Sequence, residues 1–189
     1  MKTRLIPHLG EVGAARLAHE LLVRTLTTVS SADFPVQILC VDGAVDGFEL
    51  GGVVDPMQWR VIPQGSGDLG ARMAEVFWLV SMRQRHVVLV GSDIPALSAE
   101  ILGEARRALQ SGVDVVIGPA SDGGYYLIGL SGHHPALFQE IQWSTPAVFA
   151  QTMTRINSLG LSVHVLPECW DLDREEDFNR WQELKRNAS

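Results

Sequence analysis

A chain of 189 residues with 46% hydrophobic and 20% charged residues has the size and composition of one globular domain, residues 1–189. Its net charge of −7 and its 15 scattered lysines and arginines argue against a basic face that binds DNA or RNA. No apolar run approaches the ~18 residues of a membrane-spanning helix. Two distant cysteines, Cys40 and Cys169, in a sequence without a secretory signal favour the cytoplasm.

The predicted elements alternate between helices and strands along the chain. Hydrophobic spacing predicts helices over 11–29, 69–85, 99–110, 146–159 and 173–185 and strands over 36–41, 60–62, 87–90, 113–117, 125–130 and 161–166. A long loop is predicted over 42–56. Because the strands are apolar throughout, both faces of the sheet should be covered. The sequence therefore predicts a three-layer α/β/α domain with a mostly parallel central sheet.

Acidic side chains follow three of the predicted strands. Asp93 comes after the strand over 87–90, Asp122 follows the next predicted strand, and Asp171 and Asp173 follow the last one. Ligands of open α/β sheets bind at the carboxyl ends of the strands. These loops are therefore the predicted functional site.

Carboxylates grouped around a phosphate would repel it unless a cation lies between them. Mg²⁺ often takes one or two carboxylates plus substrate phosphates, so Asp93 with Asp171 or Asp173 is a candidate ligand set for Mg²⁺ or Mn²⁺. The alternative is structural. Asp93 would then cap a turn, and Asp173 would cap the last helix with Glu176 as its capping-box partner. Both roles are compatible, because a cap uses one carboxylate oxygen.

A glycine-rich loop over 65–70, Gly-Ser-Gly-Asp-Leu-Gly, matches the dinucleotide-binding fingerprint and precedes a helix. Two residues argue against an NAD-dependent oxidoreductase. Asp68 would put a negative charge among N–H groups meant for a pyrophosphate, and Pro63 suits a central strand poorly. Asp68 is instead expected to cap the following helix.

Candidate phosphate ligands are Lys2, Arg4 and Arg72, since arginine suits bidentate contact with phosphate. The alternative is a solvated basic terminus for the first two and a solvated helix face for Arg72. Tyr125 and Tyr126 begin a strand, so one is expected in the core and the other at the edge of the site.

Five sequence blocks, taken together, carry a family resemblance. They are Lys2-Thr3-Arg4-Leu5-x-Pro7-x-Leu9-Gly10, Gln64-x-x-Gly67-Asp68-Leu69-Gly70-x-Arg72-Met73, Gly91-Ser92-Asp93-x-Pro95-x-Leu97, Gly118-Pro119-x-x-Asp122-Gly123-Gly124-Tyr125 and Asp171-Leu172-Asp173-x-x-x-Asp177. In this order they resemble a bacterial family of uncharacterised transferases with the GT-A (nucleotide-diphospho-sugar transferase) fold. That family is similar to phospholactate guanylyltransferase and the molybdenum-cofactor guanylyltransferases.

The resemblance implies roles for individual residues. Asp93 would be the principal metal ligand, with Asp171 or Asp173 as the second contact and Mg²⁺ or Mn²⁺ as the cofactor. The nucleotide and phosphate side would comprise Lys2, Arg4, Asp68, Arg72 and Ser92. The acceptor side would comprise Gly123, Gly124 and Tyr125 together with Asp122, which joins Asp93 as a catalytic residue.

The resemblance also implies an activity. The expected reaction is glycosyl transfer from a nucleotide-diphospho-sugar to a small-molecule acceptor. Nucleotidyl transfer with release of pyrophosphate is the alternative. In the family, a strand and a glycine-containing loop precede the Lys-Thr-Arg block, whereas this sequence begins at Met1. The fold is therefore expected to be N-terminally truncated, which adds a non-catalytic nucleotide-binding module as a further alternative. Homodimerisation is left open.

Overall fold

The computed structural model describes residues 2–43, 45 and 57–187, so most of the predicted loop over 42–56 lies outside the described residues. All of the predicted helices and strands are present. The helices are α1 (Ile6–Ser31), α2 (Leu69–Ser81), α3 (Ala99–Gln110), α4 (Val148–Ser158) and α5 (Glu175–Asn187). The strands are β1 (Gln37–Val41), β2 (Trp59–Pro63), β3 (His86–Val90), β4 (Val115–Pro119), β5 (Tyr125–Ser131) and β6 (Val163–Val165). Short 3₁₀ helices at Thr3–Leu5 and Pro135–Phe138 complete the order.

The larger sheet has the strand order β3-β5-β4-β6. The short connection from β4 to β5 makes that pair antiparallel, as a hairpin must be. Strand β5 also runs antiparallel to β3, while β4 and β6 are parallel. Three of the four strands therefore point the same way, as expected for a mostly parallel sheet. Their carboxyl ends lie at one edge.

Helices cover both faces of this sheet, because adjacent residues of its strands enter different hydrophobic clusters. Val116 and Leu127 pack with residues of α3, such as Leu102 and Leu109. The positions adjacent to them in the sequence face the other side of the sheet. Val115 and Ile128 pack with residues of α2, α4 and the second 3₁₀ helix: Met73, Phe77, Ile156, Leu137 and Phe138. The three-layer α/β/α expectation is confirmed.

Strands β1 and β2 form a separate parallel pair. A cavity of about 650 Å³ lies between β1 and β3, and consecutive residues of both strands line it. Since side chains of a strand alternate between faces, lining by every residue means that the strand edges border this space. Arg72 of α2 and Ser92 of the loop after β3 also line it.

The helix ends show which predicted start signals operate. Asp68 caps α2 by accepting a hydrogen bond from the Ala71 N–H at 2.8 Å. Ser98 caps α3 in the same way. The fourth helix was predicted from residue 146, but α4 begins two residues later, and its N-cap Ala147 makes no side-chain cap. None of the described helices is long and apolar enough to cross a membrane.

Candidate active site

Backbone hydrogen bonds bring the three acid-bearing loops together. The N–H of Leu172 donates to the carbonyl oxygen of Asp93 at 3.0 Å. The loop after β4 is tied to the same segment, since Ser121 N–H donates to Cys169 at 2.9 Å and Cys169 N–H donates to Pro119 at 3.0 Å. The chain beyond β6 therefore continues alongside β4 and then reaches the loop after β3. This arrangement is what places acids from distant parts of the sequence at one edge.

The segment over 170–173 alternates between core and site. Trp170 and Leu172 are buried and pack with Leu5, which is 0% exposed. Asp171 and Asp173 are the alternate residues and are only partly buried. In extended backbone, alternate residues face opposite sides, so anchoring the apolar pair turns both aspartates away from the core.

Two cations of the N-terminal segment pair directly with the predicted metal ligands. Lys2 Nζ lies 2.8 Å from Asp93 Oδ2, and the lysine is itself buried, at 8% exposure. Arg4 forms a second ion pair, with Asp173, in which the arginine is largely exposed. The sequence assigned both cations to phosphates, and it gave no sign of these pairings across the chain.

Burial and neighbouring negative charges both disfavour the ionised form of Asp171. Burial raises its pKa above the usual value, and the neighbouring charge of Asp122 raises it further. Asp93 also raises it, whereas a backbone hydrogen bond and the charge of Lys2 act in the opposite direction. Asp93, Asp122 and Asp171 therefore share one local field, with Lys2 as a cation within it.

The site can be tested for its fit to a divalent cation. Within the described part of the chain, no three histidine, cysteine or acidic side chains are arranged to enclose a metal ion by themselves. Mg²⁺ and similar ions, however, usually bind one or two carboxylates and complete their shell with water and ligand phosphates. Asp93 is 40% exposed along its side chain, and Asp171 carries negative charge at a cost. Both residues therefore fit an ion that is shared with a phosphate ligand.

The loop after β4 is built to hold Asp122 in place. Asp122 Oδ1 accepts a hydrogen bond from the Gly124 N–H at 2.8 Å. Gly123 has a φ of +88°, and a Cβ there would lie 2.2 Å from the carbonyl oxygen of Pro146. Only glycine fits both the conformation and the space. The carbonyl of Gly123 in turn accepts from the N–H of Phe149 at 2.9 Å, which ties the loop to α4.

Tyr125 and Tyr126 lie on opposite faces of the sheet, and Tyr126 is the one in the core. The placement of Tyr125 at the edge of the site stays a prediction. Tyr126 is 3% exposed, and its hydroxyl donates to the carbonyl of Pro167 at 3.0 Å. Gly118 makes room for this ring, since a Cβ there would lie 2.4 Å from it. Tyr125 packs on the other face beside Trp143 and Met73. The Tyr126 link to the loop that bears Asp171 was missed, because no local spacing connects Tyr126 with Gly118 or Pro167.

The glycine-rich loop over 65–70 has a structural role. Asp68 caps α2, so its carboxylate occupies N–H groups that a pyrophosphate would need. Arg72 binds Gln64 Oε1 at 3.1 Å and the Gly67 carbonyl at 3.2 Å rather than forming a solvated helix face. The assignment of Asp68, Arg72 and Ser92 to the nucleotide side stays a prediction.

The expected capping box of the last helix is wrong. Asp177, rather than Asp173, supplies the carboxylate at the start of α5, and it accepts from the N–H groups of Asp173 at 3.2 Å and Arg174 at 2.7 Å. Asp173 lies one residue before the N-cap position, because α5 begins at Glu175. Its carboxylate binds Arg4 instead.

The sheet with its two helical layers defines the class of the protein: it has the fold of the nucleotide-diphospho-sugar transferases. A structure from Desulfovibrio desulfuricans G20, provisionally named a nucleotide-diphospho-sugar transferase, is 32% identical and superposes with a TM-score of 0.88. The match covers 100% of this chain and 83% of the other. Residues 25–145 match the family described as "Uncharacterized protein conserved in bacteria (DUF2064)", and the chain belongs to that family.

More distant structures share the fold alone. Rv0371c from Mycobacterium tuberculosis H37Rv, in a complex with manganese, is 20% identical over 86% of this chain and 85% of its own, with a TM-score of 0.54. A CMP:2-keto-3-deoxy-manno-octonic acid synthetase complexed with CTP is 11% identical over 92% of this chain and 88% of its own, also with a TM-score of 0.54. No curated protein matches the chain. The resemblance to guanylyltransferases stays a prediction.

Proposed function

We propose that this protein is a divalent-cation-dependent transferase that moves a glycosyl group from a nucleotide-diphospho-sugar to a small-molecule acceptor. The observation that carries the proposal is the meeting of Asp93, Asp122 and Asp171, from three separate loops, at the edge where α/β sheets bind ligands. The 32% identity to a protein provisionally named as such a transferase supports the class of substrate.

The residues divide into two groups by charge. Asp93 and Asp171 would hold Mg²⁺ or Mn²⁺, with Asp173 close by in the same segment. Lys2 and Arg4, which now neutralise Asp93 and Asp173, would contact the phosphates of the donor. A divalent cation supplies charge neutralisation for the departing diphosphate. Manganese in the complex of Rv0371c supports this choice of ion.

Asp122 would serve the acceptor. One of its oxygens is fixed by the Gly124 N–H, which orients the carboxylate, and the residue is exposed. In the proposed reaction, an acceptor hydroxyl oxygen bonds to the sugar carbon, the bond from that carbon to the diphosphate breaks, and Asp122 accepts the hydroxyl proton. Gly123, Gly124 and Tyr125 would line the acceptor space.

Nucleotidyl transfer is the second candidate function. The CTP-bound synthetase with the same fold supports it. The same cation and basic residues would then neutralise a departing pyrophosphate, after attack on the α-phosphorus, so the site residues do not separate the two reactions. A non-catalytic nucleotide-binding module is the third candidate.

The leaving group separates these candidates. The protein is incubated with Mn²⁺ and a panel of nucleoside triphosphates and nucleotide-sugars, and the products are separated by chromatography. Release of a nucleoside diphosphate from a nucleotide-sugar is the expected result. Release of pyrophosphate from a triphosphate would establish nucleotidyl transfer, and tight binding with no release would establish the module.

The metal site is tested with Asp93→Asn, which keeps the shape of the side chain and removes its charge. Mn²⁺-dependent nucleotide binding should fall at least about 10-fold, as expected for a lost charged ligand. Glu168→Gln is the matched control, since this exposed acid lies in the loop after β6, and it should bind like the wild type. Equal binding by Asp93→Asn and the wild type would refute the proposal.

A further inference from the structure

The N-terminal segment holds Lys2 in a fixed position over the acids. Leu5 is 0% exposed and packs in the same cluster as Trp170 and Leu172, the residues on either side of Asp171. A 3₁₀ turn over Thr3–Leu5, with the Leu5 N–H donating to the Lys2 carbonyl at 3.1 Å, connects this anchor to Lys2. The lysine is therefore positioned by the core.

The ammonium of Lys2 already binds one oxygen of the carboxylate that is the proposed ligand of the divalent cation. Nζ lies 2.8 Å from Oδ2, and the lysine side chain is only 10% exposed. An ammonium removed from water in this way depends on its carboxylate partner. The Asp93 side chain is 40% exposed, so an ion from solvent can reach the same carboxylate.

The charges around the Lys2–Asp93 ion pair determine how a divalent cation would bind there. Lys2 pairs with Asp93, and the charges of Lys2, Asp93 and Asp122 all act on Asp171, so one ammonium lies in a region with several carboxylates. A divalent cation on Asp93 would meet the Lys2 ammonium at contact distance, and like charges that close repel strongly. Simultaneous binding of the cation and the ammonium to this carboxylate is therefore unfavourable.

We propose that Lys2 competes with the divalent cation for Asp93, so that the cation binds tightly only with a phosphate ligand that accepts the displaced ammonium. This inference rests on the metal site of the proposed function. Phosphate oxygens give the lysine a new partner at the moment it leaves the carboxylate. Cation and phosphate ligand then promote each other's binding, because such coupling is reciprocal. An empty enzyme would consequently hold the free ion weakly.

The test measures Mn²⁺ affinity by titration calorimetry in the full chain. Lys2→Met keeps the apolar stem and removes the charge, and it should bind Mn²⁺ alone at least about 10-fold more tightly than the wild type. Lys2→Arg retains the charge and should remain within about 3-fold of the wild type. Affinity for Mn²⁺ in Lys2→Met that equals or falls below the wild-type value would overturn the proposal.

A second measurement uses inorganic pyrophosphate as the phosphate probe. Pyrophosphate should tighten Mn²⁺ binding to the wild type by about 10-fold and should have little effect on Lys2→Met. Equal tightening in both proteins would overturn the coupling. Lys2→Gln, a neutral variant with a polar end, replaces Lys2→Met if the latter does not fold.

Asp93→Asn separates failure of this inference from failure of the proposed function. If, with pyrophosphate present, Asp93→Asn binds Mn²⁺ as tightly as the wild type does, the metal site itself is wrong, and both proposals fall. If Asp93→Asn loses Mn²⁺ binding while Lys2→Met does not gain it, the metal site stands and only the competition is refuted.

Discussion

Strand β4 has an aspartate near each end, and the two carboxylates meet different surroundings. At the amino end, Asp114 Oδ2 accepts hydrogen bonds from the Ser162 N–H at 2.9 Å and the Ser162 hydroxyl at 2.6 Å. These bonds lower the pKa of Asp114. At the carboxyl end, Asp122 faces Asp171, whose pKa is raised by burial and by that neighbouring charge.

The difference separates a structural carboxylate from one that is expected to bind a ligand. Asp114 ties β4 to the residue before β6 with bonds that favour its ionised form, so its charge stabilises the fold. The surroundings of Asp171 disfavour its ionised form, so its charge costs stability. Such a cost is typical of functional sites, where a ligand supplies the missing partner.

The largest effect is expected from the glycine that shapes the carboxyl end. Gly123→Ala adds a Cβ 2.2 Å from the Pro146 carbonyl oxygen at a φ of +88°, and should lower the free energy of unfolding by about 3 kcal/mol. Gly112→Ala, before β4, is the matched control. It has a φ of +100° but nothing within 4 Å of the new Cβ, so it should cost only about 1 kcal/mol. Equal losses in urea denaturation would show that Pro146 yields and that the loop is loosely held.

The second effect concerns metal binding, and it compares Asp171, which lies near the carboxyl end of β4, with Asp114 at the amino end. Asp171→Asn should weaken Mn²⁺ binding in the presence of a nucleotide by about 10-fold or more, because it removes a charged ligand. Asp114→Asn removes the same charge at the other end and should leave the affinity unchanged. Titration calorimetry measures both. A comparable loss in the two variants would mean that net charge, rather than the site, governs metal binding.

The edge of the sheet was predictable because strong local signals define it. The uninterrupted apolar run over 87–90 identified β3, and Asp93 follows it within three residues. The cap of Asp68 was likewise local, since it acts on a residue three positions away. Grouping acids from three loops needed only the rule that carboxyl ends of parallel strands lie together.

The remaining features depend on contacts between distant parts of the chain. Lys2 and Asp93 are 91 positions apart, so no spacing rule predicts their ion pair. The bond from Tyr126 to Pro167 and the space that Gly118 leaves for the ring are of the same kind. The cavity between β1 and β3 also lay beyond prediction, since strand order is a property of the assembled sheets. The prediction for the cap of α5 failed because the helix begins at Glu175, so Asp173 lies one residue before the N-cap and pairs with Arg4, while Asp177 supplies the carboxylate.

A smaller effect is expected on stability from the amino end of β4. Asp114→Asn keeps the shape of the side chain but weakens both bonds from Ser162, and should lower the free energy of unfolding at pH 7 by about 1 kcal/mol. Ser162→Ala, which removes the hydroxyl bond and leaves the backbone N–H, should cost less. Urea denaturation checks the order of the two variants. A more stable Asp114→Asn would contradict the structural role.

The smallest effect is a gain in stability from replacing Asp171, and the pH dependence of this gain identifies its cause. The folded-state pKa of Asp171 lies above its unfolded value, so the folded protein binds more protons in the interval between the two values. Stability therefore falls as the pH rises through that interval, and the full cost is present above the folded-state pKa. Asp171→Asn removes a carboxylate that is half exposed and partly screened, so without metal it should gain about 0.5 kcal/mol at pH 7. The gain should disappear below the unfolded pKa, where both proteins are neutral at this position.

Asp114→Asn should show the opposite pH dependence. A lowered folded-state pKa contributes stability above the unfolded value, and this stability is lost as the pH falls through the folded value. Thermal melts from pH 3 to pH 8, on the ~2–4 °C per kcal/mol scale of a chain this size, should show the two variants diverging from the wild type in opposite directions as the pH rises. Parallel curves would mean that the two carboxylates do not differ in the way their surroundings indicate.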